Sequence, residues 1–116
     1  MFIAYLVITA ITIVINGGMA VADLARAEFV RANSAAVRFP ESLIPTAGVL
    51  KAAGAIGLLL GLFGFRIIGI AAAIGLLVYF VLALAVHVRE RVFGNIAFPG
   101  AYFAFAAASL AMALAQ

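Results

Sequence analysis

The chain has 116 residues, of which 69% are hydrophobic and 9% charged, with a net charge of +3 and a mean hydropathy of +1.34. A water-soluble domain carries roughly a quarter of its residues as charges, so this composition excludes one. The absence of cysteine excludes a disulfide scaffold, and 11 glycines with 3 prolines exclude a disordered or low-complexity chain. What remains is an integral membrane protein of one domain, residues 1–116.

Charged residues divide the chain into uncharged runs at 1–22, 52–65, 67–86 and 92–116. Crossing ~30 Å of hydrocarbon takes about 20 apolar residues at 1.5 Å each. The second run reaches that length only when extended back through Lys51 to about Leu43. Four spans are therefore predicted, at 2–22, 43–64, 67–87 and 97–115. The fold class is all-α, an antiparallel four-helix membrane bundle. No run alternates apolar and polar residues as a membrane barrel strand does.

Span one has no basic segment before it, and its apolar stretch exceeds that of a secretory leader, so it reads as a span. The connection at about 24–42 interleaves Leu24, Phe29 and Val30 with Arg26, Glu28 and Arg31. That pattern predicts a helical extension at headgroup level, ended by Asn33-Ser34. Pro40 and Pro45 then steer the chain into span two, Pro45 within its first turn.

Span two carries Gly54, Gly57, Gly61 and Gly64 on one face, and span three adds Gly69 and Ala73. Span four sets Ala101, Ala104, Ala108, Ala111 and Ala115 on one stripe, with Phe98, Tyr102, Phe105, Ser109 and Met112 opposite. Small residues let helix backbones approach closely in lipid. These faces are expected to pack the bundle, or one of them to contact a second copy or another membrane subunit.

Five arginines (Arg26, Arg31, Arg38, Arg89 and Arg91) fall in the 1–2 and 3–4 loops, against Arg66 in the 2–3 loop. The positive-inside rule then puts both termini outside the cytoplasm of a bacterial inner membrane. These juxtamembrane cations suit anionic lipid rather than nucleic acid.

Polar residues interrupt the spans at Asn16, Lys51, Tyr79 and Tyr102, with Asp23 and His87 at span ends. Counted at 1.5 Å per residue, each lies within about 12 Å of the cytoplasmic side. All six thus share one leaflet. Two arrangements are open for Lys51: its stem snorkels to the headgroups, or it turns inward to pair with Asp23, since an unpaired ammonium in hydrocarbon is costly. The tyrosines also suit an interfacial belt, and His87 suits the negative end of the span-three helix. Asn16 has no long stem and needs a partner helix. Together the six describe a pocket for a quinone or lipid head beside a cleft of Phe80, Phe98 and Phe105. A single histidine and no cysteine leave no metal-ligand set, and no catalytic motif is present. Catalysis by this chain alone is not expected, nor is a resident cofactor beyond a quinone or lipid.

The stretch Phe39-Pro40-Glu41-Ser42-Leu43-Ile44-Pro45, continuing as GVLKAAGAIGLLLGLFGFRIIGIAAAIGLL, resembles the DoxX-like family of small four-span bacterial membrane proteins. The similarity rests on Pro40, Gly48, Lys51, Gly54, Leu58, Leu59, Gly61, the turn at Gly64–Arg66 and the span-three end Ala85-Val86-His87. It extends over about residues 1–115. It implies a subunit or partner of a membrane oxidoreductase, related members resembling the quinone-facing subunit of a thiosulfate:quinone oxidoreductase. No catalytic role for Lys51 or His87 follows from it. Two rivals are a small multidrug-resistance-type transporter, which needs an embedded acidic residue in span one, and a purely structural membrane subunit.

Overall fold

Each uncharged run becomes a helix because a backbone in hydrocarbon must satisfy its own hydrogen bonds. The computed structural model describes residues 2–116. Helix α1 covers Phe2–Leu24, α2 Glu28–Ala36, α3 Ile44–Leu62, α4 Arg66–Arg89 and α5 Ala97–Leu114, with a 3-10 turn at Glu41–Leu43 before α3. Four of them (α1, α3 with its leading turn, α4 and α5) are long and apolar enough to cross a membrane. No strand occurs among the described residues. The chain is a multi-pass membrane protein.

The four long helices form a closed ring of contacts. Helix α1 lies against α3 and α5, and α4 lies against the same two. The shared core joins Leu58, Ala73, Leu76, Phe80 and Ala106. Burial is inverted relative to a soluble bundle. On α1 the buried residues are Thr9, Thr12, Asn16, Ala20 and Asp23, while Ile3, Val14 and Val21 face outward. Lipid is as apolar as leucine, so exposing these side chains costs nothing, and polar side chains turn inward to find partners.

The tightest seam joins α3 to α4. A Cβ added at Gly57 would lie 2.6 Å from the Ala72 Cβ, and one at Gly61 would lie 2.8 Å from the Gly69 backbone. A Cβ at Gly54 would collide with Leu76 at 2.6 Å. Gly64, expected on the same face, is a correction. A Cβ there meets nothing within 4 Å, and its φ of +106° places it in the turn after α3. The Phe65 amide donates to the Leu60 carbonyl at 3.1 Å across that turn, a helix stop that favours glycine.

Three further helix stops share this geometry but place arginine at the left-handed residue. Arg26, Arg38 and Arg91 have φ of 53°, 59° and 56° and follow α1, α2 and α4. The extension after span one is a separate helix, and Asn33-Ser34 lie within it rather than ending it. The Asn33 side chain is occupied elsewhere, its Oδ1 accepting from Asn95 Nδ2 at 3.1 Å, so it does not compete for local backbone. The alanine stripe of α5 does not pack this bundle. Ala101, Ala104, Ala111 and Ala115 are exposed, and the helix packs through Pro99, Ala106, Ser109 and Ala113.

Candidate functional site

Gly48 determines how closely α3 approaches the end of α1. A Cβ there would sit 2.9 Å from the Asp23 Cβ and 3.2 Å from the Ala20 carbonyl oxygen. One turn further along α3, Lys51 reaches across this contact and donates from Nζ to Asp23 Oδ2 at 2.8 Å. The two side chains are 9% and 3% exposed. Of the two arrangements open to Lys51, the structure has the inward one. Its ammonium also lies 5.2 Å from the centre of the Tyr79 ring, within cation–π range.

Above this pair is a cavity of about 370 Å³. Asp23, Lys51, Tyr79 and His87 supply polar groups to its lining. Val30, Asn33 and Ser34 of α2 and Val37 just after it cover it, and Ile44, Ala47, Leu82 and Val86 are among its apolar walls. Its volume is within the range of small-molecule sites, roughly 300–1,000 Å³. His87 Nδ1 lies 2.8 Å from the Ala83 carbonyl oxygen. A carbonyl only accepts, so Nδ1 carries the proton. The cover is held by polar contacts at its rim: Arg31 to Glu41 at 2.7 Å, Asn95 to Asn33 at 3.1 Å and Arg38 to Glu90 at 3.6 Å.

The six polar residues divide into two groups. Asp23, Lys51, Tyr79 and His87 line the cavity, whereas Asn16 and Tyr102 do not. Asn16 is fully buried and donates from Nδ2 to the Thr12 carbonyl at 2.9 Å. The Tyr102 hydroxyl donates to the Ile15 carbonyl at 3.3 Å, and its ring packs 5.3 Å from that of Phe80. The expected phenylalanine cleft is corrected as well. Phe80 belongs to the core at 4% exposure and Phe98 is 66% exposed, and neither these two nor Phe105 line the cavity. Its apolar walls come mainly from α3, α4 and the segment between α2 and α3.

Sequence reasoning missed a polar seam between α1 and α5. Thr12 and Ser109 share a hydrogen bond of 2.8 Å, and Thr9 is 1% exposed beside them on the same α1 face. The signal was present, since Thr9, Thr12, Asn16 and Asp23 recur at helical spacing. Gly48 was noticed only as a point of resemblance, and the α2 contribution to the cavity was not seen at all.

The site offers hydrogen-bond donors and one balanced ion pair on the lining of an apolar space. It is suited to holding a molecule by an oxygen-bearing end. Among the described residues, no group of three His, Cys, Asp or Glu side chains is placed to hold a metal ion. Neither a curated protein nor a solved structure matches the sequence. The profile of the DoxX-like family matches residues 7–109, a range that includes α3 and α4 whole, most of α1 and α5, the Asp23–Lys51 pair and every residue lining the cavity. The chain belongs to the DoxX-like family.

Proposed function

We propose that this protein is a lipophile-binding, non-catalytic subunit of a larger membrane assembly, and that the cavity beneath α2 holds the head of a quinone or lipid. The carrying observation is the combination of about 370 Å³ of mostly apolar space with Lys51, Tyr79 and His87 on its lining. Such a space is large enough for a head and the first part of a tail, and the rest would lie between helices or in the bilayer. The family resemblance supports an oxidoreductase as the assembly's catalytic partner. The transporter alternative is disfavoured because the Asp23 carboxylate is engaged by Lys51 and does not stand free for cation exchange.

The test compares lipophilic molecules extracted from purified wild-type protein with those from Ala83→Trp, which fills the cavity, and Lys51→Met, which removes its cation. A bound species is expected in wild type at near-stoichiometric amounts and at least about tenfold depleted in Ala83→Trp, a loss equivalent to about 1.4 kcal/mol. Equal content in all three, or none in any, contradicts the reading.

The same reading places the cavity in the cytoplasmic leaflet. Arg26, Arg31, Arg38, Arg89 and Arg91 surround the cavity end of the bundle, while Arg66 lies at the other end, where it meets the Leu114 carbonyl at 3.3 Å. A reporter active only in the cytoplasm and fused after Gln116 is expected to be silent. Strong activity would move the cavity to the outer leaflet.

A further inference from the structure

We infer that Asp23 acts as a specificity residue. By neutralising Lys51, it makes the cavity select an uncharged head bearing a carbonyl-type oxygen acceptor and reject a phosphate-bearing one. The inference rests on the lipophile-binding reading above and narrows its ligand class.

The argument is a charge balance. Of the side chains lining the cavity, Asp23 and Lys51 carry the formal charges, and they face each other at 2.8 Å. The other titratable groups on the lining are Tyr79 and His87. None of the five arginines at this end of the bundle lines the cavity. Arg31 and Arg38 are occupied by Glu41 and Glu90 at the exposed rim.

An anionic head entering this space would meet a pair whose charge is already cancelled. It would lose its hydration without gaining a counter-charge, the condition under which burial of an ion is most costly. An uncharged carbonyl oxygen faces no such cost. It still finds donors, because an ammonium carries three N–H groups and the Asp23 contact engages one of them. Tyr79, whose side chain carries a hydroxyl donor, is on the same lining. A buried cation paired within the protein thus becomes a hydrogen-bond donor for neutral acceptors.

The substitution Asp23→Asn inverts this logic. It retains the shape of the side chain but leaves Lys51 uncompensated, so the variant should seek an anion from the ligand.

The test uses three probes with the same decyl tail: decylbenzoquinone, decyl acetate and decyl phosphate. Each is titrated by calorimetry into protein reconstituted in lipid nanodiscs. Wild type is expected to bind at least one uncharged probe about tenfold more tightly than decyl phosphate, and Asp23→Asn is expected to reverse that ratio. Whether the quinone or the ester binds distinguishes a quinone from a lipid source. The double variant Asp23→Asn/Lys51→Gln restores neutrality, and should keep the wild-type preference even if the single variant fails to fold. Wild type that binds decyl phosphate as tightly as the uncharged probes overturns the specificity inference and leaves the binding site standing. A double variant that prefers the phosphate also overturns the inference. Failure of all three probes to bind wild type overturns the lipophile-binding reading itself.

Discussion

Lysine 51 carries a charge that neither the hydrocarbon nor the helix packing around it would tolerate alone. The structure resolves this with a carboxylate from another helix, and Gly48 makes that contact possible by removing the Cβ that would hold α1 away. Both partners depend on each other. Breaking a buried pair strands one charge and costs about 3–5 kcal/mol, whereas replacing both partners with apolar residues is often neutral or better. Asp23→Ala is therefore expected to lower stability by about that amount, and Asp23→Leu/Lys51→Met to recover most of it. Thermal unfolding in detergent provides the measurement. A double variant no more stable than the single one would mean that the ion pair itself supports the bundle. Asn16 and Tyr102 act differently: Tyr102 donates across from α5 to the Ile15 carbonyl of α1, whereas the Asn16 bond to the Thr12 carbonyl stays within α1, so the partner helix expected for Asn16 is not found.

Between elements, the α3–α4 seam and the α2 cover work on different terms. The seam is held by backbone proximity, with Gly61 against Gly69, and a backbone cannot yield as a flexible side chain can. Gly61→Leu is expected to destabilise the protein by about 1–3 kcal/mol or prevent folding, the usual cost of overpacking. Gly75→Leu is the matched control, since a Cβ there meets nothing within 4 Å. Equal melting temperatures for the two variants would show that α3 does not meet α4 through its glycines. The cover is held instead by exposed polar contacts of small individual value. Its two ends turn through Arg26 and Arg38 in left-handed conformation, at a cost of roughly 1 kcal/mol each for a residue with a Cβ. Their positive charge partly offsets this, since each sits at the negative end of a helix.

Across the whole molecule, the spans were legible because charge is expelled from hydrocarbon, and the four predicted spans match α1, α3, α4 and α5 to within two residues at each end. The polar positions within them were legible for the same reason. Orientation of each helix about its axis was far less so. With lipid outside and apolar residues inside, both faces of a span read alike, so spacing alone did not show that the alanine stripe of α5 faces away from the bundle. Gly64 shared the spacing of its neighbours yet belongs to a turn, a distinction that only the backbone torsion reveals. The cavity could not be read because one side of it, Val30, Asn33 and Ser34, comes from α2, whose placement depends on tertiary contacts such as Asn33 with Asn95.

The account stands on Lys51 being turned inward onto Asp23 on the lining of the cavity. Lys51 is the chain's one lysine, so an amine-reactive ester reports on it directly once the labelled peptide is separated from the N-terminus by mass spectrometry. In folded protein, Lys51 is expected to be modified at least tenfold more slowly than in denatured protein, with part of that protection lost in Asp23→Asn. Labelling of folded wild type at the rate of the denatured chain would mean that Lys51 snorkels to the headgroups, and would contradict the account.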